Sequence, residues 1–213
     1  MEPEHAGDAT GIVRRMSTSR NDLVALVQQP THFLDATDHV LRRMAVTALS
    51  RSEAIAEFGV LSDLATDAHS DVRAAVAEKL GVVGTRALPV LASLQIDREP
   101  TVREAVATAY GDIGDASAVD WLLAASGSDD DRAVREAAVA SLGAIGDPSA
   151  VDHLLTLLKD GPPPVRRRTV AALTVFDDDR IEPAIQRAAL DRNPGVREAA
   201  EMVVGRQIEP LDR

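Results

Sequence analysis

The chain has 213 residues, 45% hydrophobic but only 2% aromatic, with no cysteine and a net charge of −11. The lack of cysteine excludes disulfides, thiolate metal sites and cysteine nucleophiles, and no apolar run approaches the roughly 18 residues of a membrane span. The acidic balance repels phosphate backbones and argues against nucleic acid as a partner.

Residues 1–18 read as an N-terminal tail and a capping turn. Met1 to Thr10 is acidic and lacks the apolar core of a signal peptide, so a cytoplasmic protein is expected. From 19 to 207 one unit recurs, marked by Leu41-Arg42, Val72-Arg73, Val102-Arg103, Val134-Arg135, Val165-Arg166 and Val196-Arg197. The arginines are 31, 30, 32, 31 and 31 residues apart. A period of this length marks a solenoid, in which each unit buries its apolar face only against its neighbours. Apolar residues recur at helical spacing behind each pair, as in Val134, Ala137, Ala138 and Leu142. The spacing predicts second helices starting near 40, 71, 101, 133, 164 and 195, so the expected fold is all-α, about six helical hairpins in one stack. Residues 208–213 read as a C-terminal tail.

Turn chemistry agrees with that division. Gly111-Asp-Ile-Gly-Asp115 is nearly repeated by Gly143-Ala-Ile-Gly-Asp147. The glycines end one helix, and Asp115 or Asp147 opens the next, with Pro148 at a first helical position. Pro30 to Asp38 lengthens the first turn.

A second register accompanies the arginines. Asp67, Asp97, Asp129, Asp160 and Asp191 each lie six residues before Arg73, Arg103, Arg135, Arg166 and Arg197. Stacking would set each arginine near its own and its neighbour's aspartate, forming an ionic ladder with a structural role. On the opposite face, positions two, five, six and nine after the leading aliphatic residue should line a groove. Arg43, Glu78, Glu104, Thr108, Glu136, Arg167 and Glu198 are the expected partner contacts. Six helices about 8–10 Å apart make a surface of roughly 50 Å. That suits a partner helix or domain better than a small substrate.

No residues form a catalytic, cofactor-binding or metal-binding constellation. The five histidines, His5, His32, His39, His69 and His153, show no ligand spacing, and His32, Asp35 and His39 read as loop and cap residues. Trp121 and Tyr110 read as packing residues. All but two of the 23 basic residues are arginine, the exceptions being Lys79 and Lys159. This bias fits a GC-rich or halophilic prokaryotic source.

The pattern Asp-x5-Arg with Val-Arg-x-Ala-Ala-x-x-x-Leu-Gly-x-Ile-Gly-Asp, carried almost completely by Asp129 to Asp147 and nearly so by Asp97 to Asp115, resembles HEAT repeats of the PBS-lyase HEAT-like subgroup. The fifth unit departs, with Phe176-Asp177-Asp178-Asp179 in place of the Ile-Gly-Asp turn. The resemblance implies a right-handed α-solenoid with the Val-Arg helices on its concave side. It also implies a scaffold or adaptor for another protein or peptide; the alternative is a bilin-lyase-like enzyme or accessory factor. A non-enzymatic monomer without cofactor is the reading adopted from the sequence.

Overall fold

The structure is a computed structural model that describes residues 20–205. The predicted tails at 1–18 and 208–213, with His5, lie outside the described residues. Helices follow one another in pairs. α1 (Arg20–Gln28) pairs with α2 (His39–Ala48), and α3 (Arg51–Ala56) and α4 (Phe58–Leu64) together pair with α5 (Ser70–Gly81). α6 (Leu88–Leu94) pairs with α7 (Pro100–Ile113), and α8 (Val119–Ser128) with α9 (Arg132–Ile145). α10 (Val151–Asp160) pairs with α11 (Pro163–Leu173), and α12 (Ile181–Ala188) with α13 (Pro194–Val204). No strand occurs among the described residues.

Local chemistry accounts for the helix ends. Gly114 and Gly146 end α7 and α9 with φ of 71° and 70°. In that left-handed conformation their N–H groups reach the carbonyls of Tyr110 and Leu142, both at 3.0 Å. Asp115 and Asp147 then accept the N–H groups of Ser117 and Ser149, each at 2.9 Å. Those contacts open a short 3₁₀ turn that runs into α8 or α10. The first helix of the second hairpin is split at Glu57, where φ −90° and ψ 18° leave the helical region.

Leucines from both helices of several hairpins fill the space inside them, including Leu61, Leu80, Leu91, Leu122, Leu142, Leu154 and Leu173, all fully buried. Burying each contributes about 1.5–3 kcal/mol relative to exposure. The second helices lie directly against one another, α2 on α5, α5 on α7, α7 on α9, α9 on α11 and α11 on α13. First helices touch their counterparts much less. The wall of second helices is therefore the tighter, inner side of the stack.

Small residues set that tightness. A Cβ on Gly143 in α9 would stand 2.9 Å from the Cα of Ala172 in α11, and one on Gly111 would stand 2.6 Å from the Ser141 hydroxyl. The close approach changes one expectation. Position five, predicted to line the groove, is instead buried in five of the six second helices, at Val46, Ala77, Ala107, Val139 and Val170, while Glu201 in the last one stays partly open. A neighbour on each flank widens the covered stripe beyond one face. Position six stays open at Thr47, Glu78, Thr108, Ala140, Ala171 and Met202.

Candidate functional site

Two features run the length of the stack: an edge of arginines and aspartates at the turns, and the inner wall. At the edge each guanidinium is divided between two units. Arg73 donates from Nη1 to the Asp67 carbonyl at 2.8 Å, and from Nε and Nη2 to the Asp97 carboxylate of the next unit at 2.7 and 2.9 Å. Arg103 repeats this with the Asp97 carbonyl and the Asp129 carboxylate, and Arg166 with the Gly161 carbonyl and the Asp191 carboxylate. Arg42 adds a rung on Asp67 that the Asp-x5-Arg spacing did not reveal, because no aspartate precedes it at that distance. Arg197 keeps only backbone partners, the carbonyls of Asp191 and Arg192. For Arg73 and Arg103 the arginine's own aspartate thus supplies a backbone oxygen, and the carboxylate comes from the next unit.

Each rung carboxylate also closes its own turn by accepting the N–H two residues on: His69 to Asp67, Glu99 to Asp97, Asp131 to Asp129 and Asn193 to Asp191. The Arg73 and Arg166 guanidiniums hold Asp97 and Asp191 below the ordinary carboxylate range, partly opposed by burial. At Asp67 and Asp129 burial pushes the carboxyl up, and hydrogen bonds from Arg42 and Arg103 and the turn N–H together outweigh it.

The rung between the fourth and fifth units departs from the prediction. Asp160 is still helical, the last residue of α10, and its carboxylate makes no hydrogen bond or ion pair among the described residues. Gly161, the first residue past the helix with φ −70° and ψ 166°, takes the extended conformation that Asp129 has after α8. Arg135 therefore reaches the carbonyls of Asp129 and Asp130 but no carboxylate. Its Nε is the one buried side-chain nitrogen or oxygen without a hydrogen-bond partner among the described residues.

On the inner wall, α7, α9 and α11 enclose an open hollow of about 430 Å³. It brings together three of the predicted contacts, Glu104, Thr108 and Glu136, and adds Asp112, Arg132 and Arg168. Its floor is small: Ala133, Ala137, Ala140, Ala144 and Gly111. Glu136 is engaged by Arg132 at 2.9 Å, one helical turn away, while Glu104 makes no ion pair among the described residues. Of the remaining predicted contacts, Arg43 and Glu78 lie on α2 and α5, and Arg167 and Glu198 on α11 and α13; none lines the hollow, and all four are exposed. Arg43 sits 3.6 Å from Asp71.

Other polar residues tie neighbouring units together, and sequence spacing gave no sign of them. Lys79 donates to the carbonyls of Thr47 and Leu49 at 3.1 and 2.7 Å, capping the end of α2, and burial holds its ammonium below the ordinary lysine value. His39 stacks on His69 with ring centroids 4.0 Å apart and faces Asp71, so it turns toward α5 and away from a site with His32. His153 lies 2.8 Å from the hydroxyl of Ser126, itself buried and donating to the Leu123 carbonyl. Trp121 packs edge-on against Tyr110 at 5.7 Å, and the Tyr110 hydroxyl accepts from Gln95. Asp178 in the aberrant turn is pulled down to about 2, chiefly by its hydrogen bonds with Arg180.

Paired helices stacked through a common inner wall, with an ionic edge repeated at each turn, define an α-solenoid. Residues 88–174 match the family profile of HEAT repeats, so that stretch of the chain carries HEAT repeats. No curated protein matches it in sequence. Among solved structures it is similar to a chain from the complex of CpcE and CpcF of phycocyanin lyase from Nostoc sp. PCC7120. Identity there is 21% and the TM-score 0.63, over 82% of this chain and 74% of that one. A designed armadillo repeat protein in complex with peptide (KR)4 is 16% identical with a TM-score of 0.59, over 84% of this chain and 98% of that one. Armadillo repeats designed for modular peptide recognition are 16% identical with a TM-score of 0.53, over 89% and 94% of the two chains. At these identities the likeness is one of fold. No helix among the described residues is long and apolar enough to cross a membrane.

Proposed function

We propose that this chain is a non-enzymatic scaffold that holds a protein or peptide partner along its inner wall. The observation that carries the reading is the hollow at α7, α9 and α11, where Glu104, Thr108 and Glu136 from successive units converge over a floor of alanines. Small side chains let a partner's backbone approach, and the charged rim selects which side chains it brings. A designed armadillo repeat protein of the same general fold is itself in complex with a peptide, (KR)4.

Reversing Glu104 and Glu136 to arginine should abolish capture of the partner that the wild-type chain retains from native lysate. The reversal at Glu136 exchanges an attractive contact with Arg132 for a repulsive one and costs about 1 kcal/mol, too little to unfold the stack. Unchanged far-UV circular dichroism would establish that. Capture that survives the double reversal would move the binding surface elsewhere.

A second reading rests on the likeness of Val134 to Asp147 to the PBS-lyase subgroup: chromophore attachment as a bilin lyase or its accessory. Incubation with a bilin and its acceptor protein distinguishes the two, since a visible absorbance on the acceptor would favour the lyase.

A further inference from the structure

We propose that Arg135 is a ladder rung built to receive a carboxylate that the chain's own fold does not supply. In the four rungs of Arg42, Arg73, Arg103 and Arg166, Nε and Nη2 grip two carboxylate oxygens at 2.7 to 3.0 Å. Arg135 shares their position and their Nη1-to-carbonyl contact, with Asp129 as the acceptor. The two-donor edge of its guanidinium is left over. Nε is buried without an acceptor, while Nη2 makes no hydrogen bond and is not among the buried atoms, so it meets solvent. Two parallel N–H groups match the two oxygens of a carboxylate in shape and charge.

The local sequence keeps this edge unfilled from within. A Cβ on Gly161 would lie 2.6 Å from the Leu157 carbonyl oxygen, so an aspartate does not fit there in the present turn. Every other rung carboxylate is also steadied by the N–H two residues on. Here the residues two beyond Asp160 and Gly161 are Pro162 and Pro163, which have no N–H to offer. The turn thus lacks the carboxylate, the room for it and its second donor. A buried, charged donor without an acceptor is costly, so an incoming carboxylate binds with the gain of relieving it. This edge lies at the turns, away from the inner wall, and the inference stands or falls independently of the scaffold reading.

The test is a titration of the full chain with sodium formate against sodium chloride at equal ionic strength. The Nε–H resonances of the arginines are followed by proton–nitrogen correlation spectra, and Arg135 is assigned by its loss in Arg135→Lys. The expected result is a saturable shift of the Arg135 Nε–H, with those of Arg42, Arg73, Arg103 and Arg166 unmoved. The melting temperature should rise with formate in the wild type and not in Arg135→Lys. A blocked Gly-Asp-Gly peptide binding more tightly than acetate would assign the carboxylate to a protein side chain, and equal binding to a small acid. An Arg135 resonance that responds to formate no more than to chloride, or ladder arginines that all respond alike, would overturn the proposal. Should Arg135→Lys fold poorly, through-bond correlation from the Arg135 backbone assigns its Nε–H in the wild-type protein, and the spectral readout then needs no variant.

Discussion

Arg103 and Arg135 occupy the same position in successive units and differ in their carboxylates: Arg103 pairs with Asp129 and, at 2.8 Å, with the exposed Asp130, and Arg135 with none. Arg103 holds the Asp129 carboxylate, with both side chains largely buried at 13% and 10% exposure. Removing it leaves that carboxylate half-satisfied in a poorly solvated place, so Arg103→Ala should cost about 3 kcal/mol in urea unfolding. Arg135→Ala forfeits only backbone acceptors and relieves an orphaned donor, and about 1 kcal/mol or less is expected. Equal losses would mean that the carboxylate adds nothing to a rung. Protonation follows the same logic. Rung aspartates have folded-state pKa values below the unfolded one, so their stabilisation is complete above about pH 4 and fades as pH falls through the folded value. His153 acts in a separate window. The Ser126 hydrogen is committed to Leu123, so the imidazole donates from Nε2, and burial lowers its pKa in the fold. The neutral form is favoured on folding, so stability is full above about pH 7 and declines as pH drops toward 5. Replacing His153 with Gln keeps a donor and removes the titration. The wild-type melting temperature should fall across that range and the variant's should stay flatter, and parallel profiles would discard this role for His153.

At the scale of the helix pair, glycines on the second and first helices have opposite consequences. Gly143 sits where α9 meets α11, and a methyl group there would press on the backbone of Ala172 at 2.9 Å. Gly143→Ala should destabilise by about 1–3 kcal/mol, because the wall must part to admit it. Gly59 in α4 is exposed with nothing within 4 Å, so Gly59→Ala should stabilise by about 1 kcal/mol through helix propensity alone. Chemical denaturation of the two variants reads both signs, and a stabilising Gly143→Ala would show that the wall is looser than its geometry. The second helices were legible in the sequence because Val-Arg and its trailing alanines recur where each helix faces its neighbours. The split of α3 from α4 was not, since no proline or glycine stands at Glu57 to mark it. Asp160 misled for a specific reason. Counting residues back from Arg166 places it on the ladder, but the carboxylate's direction depends on whether the helix has already ended, and it has not. The inner wall was read one position too wide, because periodicity describes one helix and burial depends on how near the next one comes. Glu104, Thr108 and Glu136 share a hollow because they sit at positions two and six, where that packing leaves the surface open.

Across the whole molecule, charge divides into two populations that respond differently to salt. The four complete rungs are shielded by the packing around them, with aspartate side chains 6% to 15% exposed, and added ions screen them little. The remaining excess of acid, which makes the net charge −11, lies mostly in solvent and repels itself. Raising sodium chloride from about 0.1 to 1 M shortens the Debye length from about 10 to 3 Å and removes most of that repulsion. The buried rungs therefore persist while the destabilising part fades, and the melting temperature should climb with salt. The scarcity of lysine, with Lys79 used as a helix cap, leaves few cations to offset the acidic surface. If the source is a salt-adapted organism, the dependence should be steep enough that the helical far-UV signal collapses on dilution from molar salt. Full helicity at low salt would instead leave genomic GC bias as the reason for the arginine excess. A melting temperature that falls with salt would mean that the ladder is more exposed than its geometry allows.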